Sequence, residues 1–198
     1  MTEHDLEPTT EELIAHCLRG DQLAYTQLYE RYASAIYRLC YGLVLNPLDA
    51  EDVVQEAFVY AFKNLRRYNP EKAAFKTWLY TIAVSRSRNT HRRKRLPQVE
   101  LSHLFQLNVP APKSETPEAQ LFQRAAEEAI LVALADLSPS LREAVLLRYG
   151  HGMTYREIAE VMECPPKTAE SRVRLAHQRL HTLLQPNGNA LLQELLSF

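Results

Sequence analysis

A cluster of cations directly follows a group of aromatic residues between positions 75 and 95. Residues 72–99 contain 8 Lys or Arg residues and no Asp or Glu. Rings stack on unpaired bases while cations follow the phosphate backbone, so this combination predicts binding of single-stranded nucleic acid. The rings recur at helical spacing, so some of them can instead be core. The aromatic residues are Phe75, Trp78 and Tyr80, and the cations are Arg86, Arg88, Arg92, Arg93, Lys94 and Arg95.

A second set of polar residues lies at the start of a helix near the C-terminus. Thr154 and Glu157 have the spacing of a capping box, which predicts a helix to about Met162. Glu163-Cys164-Pro165-Pro166 predicts a turn before a longer helix. This pattern is typical of a helix-turn-helix, whose second helix enters the DNA major groove, and an ordinary helical hairpin is the alternative. The polar residues at the front of the second helix are Lys167, Thr168, Glu170, Ser171, Arg172 and Arg174.

A third polar face is acidic. Asn46-Pro47 predicts a capped helix start, and the inward positions of that helix begin at Ala50. The helix dipole stabilises negative side chains in the first turns of a helix. An exposed acidic patch also indicates a basic partner. The outward residues are Asp49, Glu51, Asp52, Gln55 and Glu56.

Other kinds of chemistry find little support in the sequence. No nucleophile–base pair, paired carboxylates or glycine-rich phosphate loop stands out, so we expect no enzyme and no cofactor. His177 and His181 have a spacing compatible with zinc but lack an evident third ligand, so we expect no metal. No apolar run approaches the roughly 20 residues of a membrane span, so we expect no membrane insertion. Three scattered cysteines indicate a reducing cytoplasm.

The elements that must position these residues are helices almost throughout. Apolar residues recur at three-and-four spacing in successive segments, and no long alternating run predicts a strand. The pattern therefore predicts an all-α chain over the 198 residues. Four prolines punctuate residues 96–117, which indicates an extended linker. We therefore expect a first helical domain over about 10–95 and a second over about 118–185. An extension follows at 186–198. It either packs on the second domain, which we favour, or regulates that domain by offering an apolar face to a partner.

Charge supports separate tasks along the chain. The formal net charge is only -1, yet residues 1–71 carry 12 acids against 6 Lys or Arg. Residues 139–185 carry 7 bases against 5 acids. A near-neutral total therefore hides the basic segments that attract phosphate.

These motifs together resemble a sigma factor of bacterial RNA polymerase, in the compact extracytoplasmic-function (ECF) group of the sigma-70 family. The resemblance spans about residues 22–185. It is carried by the run Asp49-Ala50-Glu51-Asp52-Val53-Val54-Gln55-Glu56-Ala57-Phe58, by Phe75-x-x-Trp78-Leu79-x-x-Ile82-Ala83, by Leu137-Ser138-Pro139, by Tyr155-x-Glu157-Ile158-Ala159-Glu160 and by Thr168-x-x-Ser171-Arg172.

The resemblance implies a role for each polar set. It implies that Asp49, Asp52, Gln55 and Glu56 bind core RNA polymerase. It implies that residues along the helix predicted from Ala73 to about Arg95 trap the melted strand of the -10 promoter element, namely Phe75, Trp78, Arg86, Arg88, Asn89, Arg92 and Arg93. It implies that the front of the last helix reads the -35 duplex, through Lys167, Thr168, Glu170, Ser171, Arg172 and Arg174. An anti-sigma factor is a possible further partner.

Some residues depart from the family's pattern. Family members commonly have Arg-Asn where this chain has Val84-Ser85, and often Asp at the position of Asn89. Glu163 occupies the position of a turn glycine, and Glu170 replaces a frequent lysine. Glu170 can accept a hydrogen bond from cytosine or repel phosphate, and the sequence leaves both open. A free-standing helix-turn-helix regulator and a nucleic-acid-processing enzyme are the alternative functions.

Overall fold

The computed structural model describes residues 8–93 and 128–184, and side chains over 8–90 and 128–184. Every regular element in these ranges is helical, which confirms the all-α prediction for the part of the chain described. The sequence also predicts that Pro117 opens a helix to about Ala135. The start of that helix, the linker over 96–117 and the extension over 186–198 lie outside the described residues. The domain boundaries therefore stay predictions.

The helices form two groups, here called the first module (α1–α4) and the second module (α5–α8). In the first module, α2, α3 and α4 pack on one another and α1 packs on α2. In the second module, α6 and α7 both pack on α8. The helices are α1 Thr10–Leu18, α2 Gln22–Val44, α3 Pro47–Lys63, α4 Phe75–Arg93, α5 128–136, α6 Pro139–Val145, α7 Tyr155–Met162 and α8 Pro166–Leu183.

Local capping fixes where several helices begin. The Asn46 side chain accepts a hydrogen bond from the backbone N–H of Asp49, with Pro47 at the first helical position. Thr154 and Glu157 form the predicted reciprocal capping box at α7. Each cap satisfies amides that have no partner inside the helix, which sets the register of the polar faces that follow.

Two helix predictions differ from the structure. In the sequence, Tyr68-Asn69-Pro70 predicts the stop of the helix that begins at Pro47, but α3 ends at Lys63 and Leu65 is buried within a following 3₁₀ turn over Leu65–Arg67. The sequence also predicts a helix from Leu141 to Tyr149, but α6 ends at Val145 and continues as a π-helical turn over Leu146–Gly150. Ser138 occupies the N-cap position of that helix, but its side chain makes no capping hydrogen bond.

The two modules are in direct contact. Helix α4 packs on α7, and α2 packs on α6 and on the π turn. At Gly42 the approach is so close that an ideal Cβ would lie 2.9 Å from both terminal methyl carbons of Leu146. A side chain at position 42 would therefore require Leu146 to change its rotamer if α2 and the π turn are to keep this separation.

A buried arginine joins the modules. Arg142 donates from Nε to the Leu134 carbonyl at 2.8 Å and from Nη1 to the Leu43 carbonyl at 3.0 Å, which belongs to the last turn of α2. Its Nη2 donates to the carbonyls of Ala135 and Leu137 at 3.1 and 3.2 Å. Carbonyls near helix C-termini carry partial negative charge, which stabilises the guanidinium, while burial lowers the pKa of Arg142.

The turn between α7 and α8 has a left-handed residue that is not glycine. Glu163 has φ 53° and ψ 49°, and the N–H of Cys164 donates to the Ala159 carbonyl at 3.0 Å. A Cβ in this conformation costs roughly 1–2 kcal/mol. The turn therefore keeps its left-handed conformation although glutamate replaces the family's glycine, and the turn is strained as a result.

We expect Glu163→Gly to raise the free energy of unfolding by about 1 kcal/mol, because glycine adopts the left-handed conformation without strain. Urea denaturation of the full chain measures the change. Glu163→Ala is the matched control, since it removes the carboxylate but keeps the Cβ. Equal stabilisation by Ala and Gly would mean that charge, and not backbone strain, explains the gain.

Candidate nucleic-acid and protein interfaces

The acidic face of α3 lies on the surface opposite the core of the first module. Asp52 is exposed, and Asp49, Gln55 and Glu56 are partly exposed beside it, while the inward positions beginning at Ala50 are buried. Partial burial, and then the nearby Asp49 and Glu56 carboxylates, raise the pKa of Asp52. A cationic partner would relieve this crowding of like charges, whereas phosphate would add to it.

One residue of this face was missed by sequence reasoning. Leu48, in the first turn of α3, is 70% exposed beside the carboxylates. An exposed apolar side chain within a charged rim is typical of a protein-binding surface. The sequence could have predicted this exposure, because Leu48 precedes Ala50, the first residue on the buried face of α3.

The aromatic residues at the start of α4 divide into support and surface. Phe75 is 2% exposed and packs edge-on against Tyr32 and Tyr68, so no base can stack on it in this structure. Trp78 is partly exposed, with ring centroids 5.3 Å from Tyr68 and 5.7 Å from Phe75. The Tyr68 hydroxyl donates to the Ala73 carbonyl at 3.1 Å, which fixes the ring. Of the two predicted DNA contacts, the structure therefore exposes Trp78 and places Phe75 in the core beneath it.

The cations of α4 do not share one surface. The Arg86 guanidinium lies 4.6 Å from the ring centroid of Tyr60, which is 41% exposed on α3, and Asn89 is partly exposed. Arg88 instead reaches the second module, where it pairs with Glu143. The Arg92 and Arg93 side chains lie outside the described residues. Tyr60 was missed by sequence reasoning, because the ring occurs far from the basic segment in the chain.

The front of α8 presents a polar row to solvent. Its buried side faces α6 and α7 through Ala169, Val173, Ala176 and Leu180. The Pro165 carbonyl accepts from the N–H groups of Thr168 and Ala169 at 2.8 and 3.1 Å, which closes the first turn. Among the predicted groove residues, four are exposed and two, Thr168 and Arg172, are partly exposed; the four are Lys167, Glu170, Ser171 and Arg174. This geometry can insert a helix front into the major groove.

The described residues also bear on metal binding and on membrane insertion. No group of three or more His, Cys, Asp or Glu residues within 8–90 and 128–184 is arranged to hold a metal ion. The ring of His177 packs instead against Tyr149, with centroids 5.8 Å apart. No helix in the described part of the chain is both long enough and apolar enough to cross a membrane. Cys164 is a partly buried free thiol packed against the core.

Family models match each half of the chain. Residues 28–96 match sigma-70 region 2, which includes α3 and α4. Residues 127–180 match sigma-70 region 4, which includes α7 and most of α8. The two matches occur in the chain order that the motifs predicted.

Relatives match nearly the whole chain. The ECF RNA polymerase sigma-E factor of Haemophilus influenzae is 30% identical over 184 residues, which cover 90% of this chain and 96% of the relative. The RNA polymerase sigma-H factor of Pseudomonas aeruginosa is 31% identical over 182 residues, which cover 89% of this chain and 94% of the relative. The sigma-E factor of Escherichia coli K12 is 30% identical over 184 residues, which cover 90% of this chain and 95% of the relative.

Two solved structures have a similar arrangement. CnrH in complex with the cytosolic domain of CnrY has a TM-score of 0.64 and 26% identity, covering 87% of this chain and 94% of that one. The sigma factor RpoE of Bartonella quintana, in complex with the anti-sigma factor NepR, has a TM-score of 0.56 and 23% identity, covering 82% and 98%. The second similarity shows the fold alone.

Proposed function

Since this chain belongs to the ECF sigma factors of bacterial RNA polymerase, we propose that its two modules bind separate parts of a promoter while an acidic face holds the polymerase. The chain is an RNA polymerase sigma factor, and it directs promoter-specific initiation of transcription. The assignment of individual residues belongs to the proposal. Its partners are core RNA polymerase and promoter DNA, with an anti-sigma factor as a further partner of the kind that the Bartonella relative's complex contains.

The observation that carries the polymerase role is the acidic surface on α3. A self-sufficient DNA-binding protein has no use for carboxylates beside its DNA-binding helix, because they repel phosphate. A basic protein surface relieves the repulsion around Asp52 and covers Leu48. The residues proposed for this contact are Asp49, Asp52, Gln55 and Glu56, together with Leu48.

The first module, over about 10–95, is proposed to capture the melted -10 strand. Extruding bases costs a few kcal/mol each, and stacking on Trp78 and on the Tyr60–Arg86 surface offsets that cost. Asn89, partly exposed further along α4, contributes a polar group, and Arg88, Arg92 and Arg93 follow the phosphates. Phe75 supports Trp78 from the core instead of contacting DNA.

The second module, over about 118–185, is proposed to bind the -35 element as duplex. Arg172 and Arg174 can donate to guanine edges or to phosphates, while Glu170 can accept from cytosine. Lys167, Thr168 and Ser171 lie in the first turns of α8, where backbone and side-chain donors contact phosphate. The segment over 96–117 connects the modules and 186–198 is an extension. We expect the protein to act in the cytoplasm, with no catalytic turnover and no cofactor of its own.

Run-off transcription tests this function directly. The purified chain is mixed with core polymerase and fragmented genomic DNA of the same organism, and transcript start sites are mapped. We expect initiation at a defined set of promoters that core polymerase alone does not use. Tight sequence-specific duplex binding without polymerase would instead favour a free-standing regulator, and turnover of nucleic acid would favour an enzyme.

We expect Gln55→Ala with Glu56→Ala to weaken association with core polymerase by about tenfold, because it removes part of the proposed docking face. Co-purification and competition against the parent chain measure the loss. Gln27→Ala with Glu30→Ala is the matched control, since it removes the same two side-chain types from exposed positions on a different helix, α2. Equal association of both double variants with polymerase would remove these residues from the contact.

A further inference from the structure

The second module has exposed apolar side chains on one flank. Val132 on α5 is 66% exposed, and Leu175 and Leu183 on α8 are 47% and 43% exposed. Leu175 and Leu183 lie four residues on either side of Arg179, so the three side chains share one face of α8. Val132 lies four residues before Asp136, whose carboxylate pairs with Arg179 Nε at 3.0 Å. The apolar side chains therefore lie within about one helical turn of a single ion pair, and this surface is here called the α5–α8 flank.

The α5–α8 flank has no apolar partner among the described helices. The buried side of α8 packs on α6 and α7, and no helix within the described residues covers the flank, since its apolar side chains are exposed. Apolar side chains gain free energy when another apolar surface covers them. A helix with an apolar face on one side and polar residues on the other is the kind of partner that fits a surface built from two helices.

The extension over 186–198 has the sequence of such a partner. Pro186-Asn187-Gly188 has turn residues at the positions that a β-turn favours, and a β-turn reverses the chain. Asn189 is a favoured N-cap, so the sequence predicts a helix over 190–198. One side of that helix is apolar and the other polar. The apolar residues are Leu191, Leu192, Leu195, Leu196 and Phe198, and the polar residues are Gln193, Glu194 and Ser197.

The position and length of this segment fit the flank. The chain from Leu183 to Ala190 spans at most about 25 Å, so the segment stays close to the end of α8. A helix over 190–198 is about 14 Å long, and Leu175 and Leu183 are about 12 Å apart along α8. A reversed chain therefore runs back along the flank from Leu183 to Leu175. The short tether gives the segment an effective concentration on the order of millimolar, which favours it over a second copy of the chain.

Docking on this flank is compatible with the chemistry around it. Asp136 and Arg179 are already paired, so covering them leaves no isolated charge. The segment ends beside Leu175, which follows all of the proposed -35 contacts in the chain. The front of α8 therefore stays open to the major groove while its second half is covered.

We propose that residues 190–198 form a helix that docks on the α5–α8 flank and braces α8 against α5. Leu192 and Leu195 lie at the centre of the apolar face of this helix, and they bury the side chains of Val132 and Leu183. A helix of this length is marginal by itself in water, so it forms against the flank and not before. The docking needs neither polymerase nor promoter DNA.

Hydrogen exchange of the full chain, measured by mass spectrometry, tests the docking from the side of the segment. We expect slow exchange of the amides over 191–198 in the parent chain, because an undocked segment exchanges rapidly. Leu192→Ser with Leu195→Ser should speed that exchange by at least about tenfold. Gln193→Ser with Glu194→Ser is the matched control, since it places the same two serines on the polar side. Fast exchange in the parent chain, or equal exchange in both double variants, would overturn the proposal.

Variants of the flank test where the segment binds. Val132→Lys with Leu183→Lys places two charges on the flank, and we expect exchange over 191–198 to become at least about tenfold faster. Leu23→Lys is the control, because Leu23 is a leucine on the first module that is 74% exposed. Unchanged exchange in the flank variant would place the segment elsewhere and overturn the proposal. Protection that appears only at high protein concentration, together with a dimer in sedimentation, would assign the flank to a second copy and overturn it as well.

Discussion

Replacement of Arg142 by Leu is expected to lower the free energy of unfolding by about 3 kcal/mol or more. The leucine fills a similar volume but donates no hydrogen bond, so the buried carbonyls of Leu43, Leu134 and Leu137 lose the donor that Arg142 supplies. A buried acceptor left without its donor costs roughly 1–3 kcal/mol, and Arg142 serves three of them, with a fourth, partly buried bond to Ala135. The Leu134 carbonyl keeps a bond from the N–H of Leu137, so the loss is smaller than three full penalties.

Urea denaturation of the full chain, monitored by circular dichroism, measures this loss of stability. Arg142→Lys should lie between the parent and Arg142→Leu, because an ammonium is a point donor that cannot span carbonyls of two helices. Arg179→Leu is the matched control, since Arg179 forms an exposed pair with Asp136 and should change stability by less than about 1 kcal/mol. A change for Arg142→Leu no larger than that of the control would show that the buried hydrogen bonds add no net stability.

The features predicted from the sequence are those that neighbouring residues determine. The caps at Asn46 and Thr154 depend on residues three positions away, and the inward face of α3 depends on helical periodicity. The turn that begins at Glu163 was predicted from the two prolines after it, whereas the left-handed conformation of Glu163 itself was not predicted. Local chemistry determined these elements, so sequence reasoning could find them.

The features that were missed depend on residues far apart in the chain. Arg88 and Glu143 are 55 positions apart, and the sequence presents each as an ordinary polar residue on a helix. Arg142 and Glu143 are both buried because α6 packs between α8 and the end of α2, and no local period encodes that approach. The same reason explains Phe75: the rings of Tyr32 and Tyr68 cover it from other elements. A site built from two modules is therefore visible only once their contact is known.

The other large effect is expected at Trp78. Trp78→Ala should lower formation of the melted promoter complex by about 5–150-fold, because a stacked base is worth about 1–3 kcal/mol. Permanganate reactivity of unpaired thymines in the complex with core polymerase measures melting, and duplex binding before melting is measured in parallel. Trp78→Phe should retain part of the activity, since a smaller ring still offers a face for stacking.

Trp78 also packs on Phe75 and Tyr68, so its truncation removes core contacts as well as a stacking surface. A template held open at the -10 element by mismatches separates these two losses. On such a template the bases are already unpaired, so no free energy is needed to separate them. Transcription with the Trp78→Ala variant should then be within a few-fold of that with the parent chain. An equal deficit on duplex and pre-opened templates would assign the effect to the fold of the first module, and no deficit on the duplex would remove Trp78 from the melting step. Rescue by the open template is therefore the result that distinguishes a ring that captures bases from one that only supports the helix beneath it.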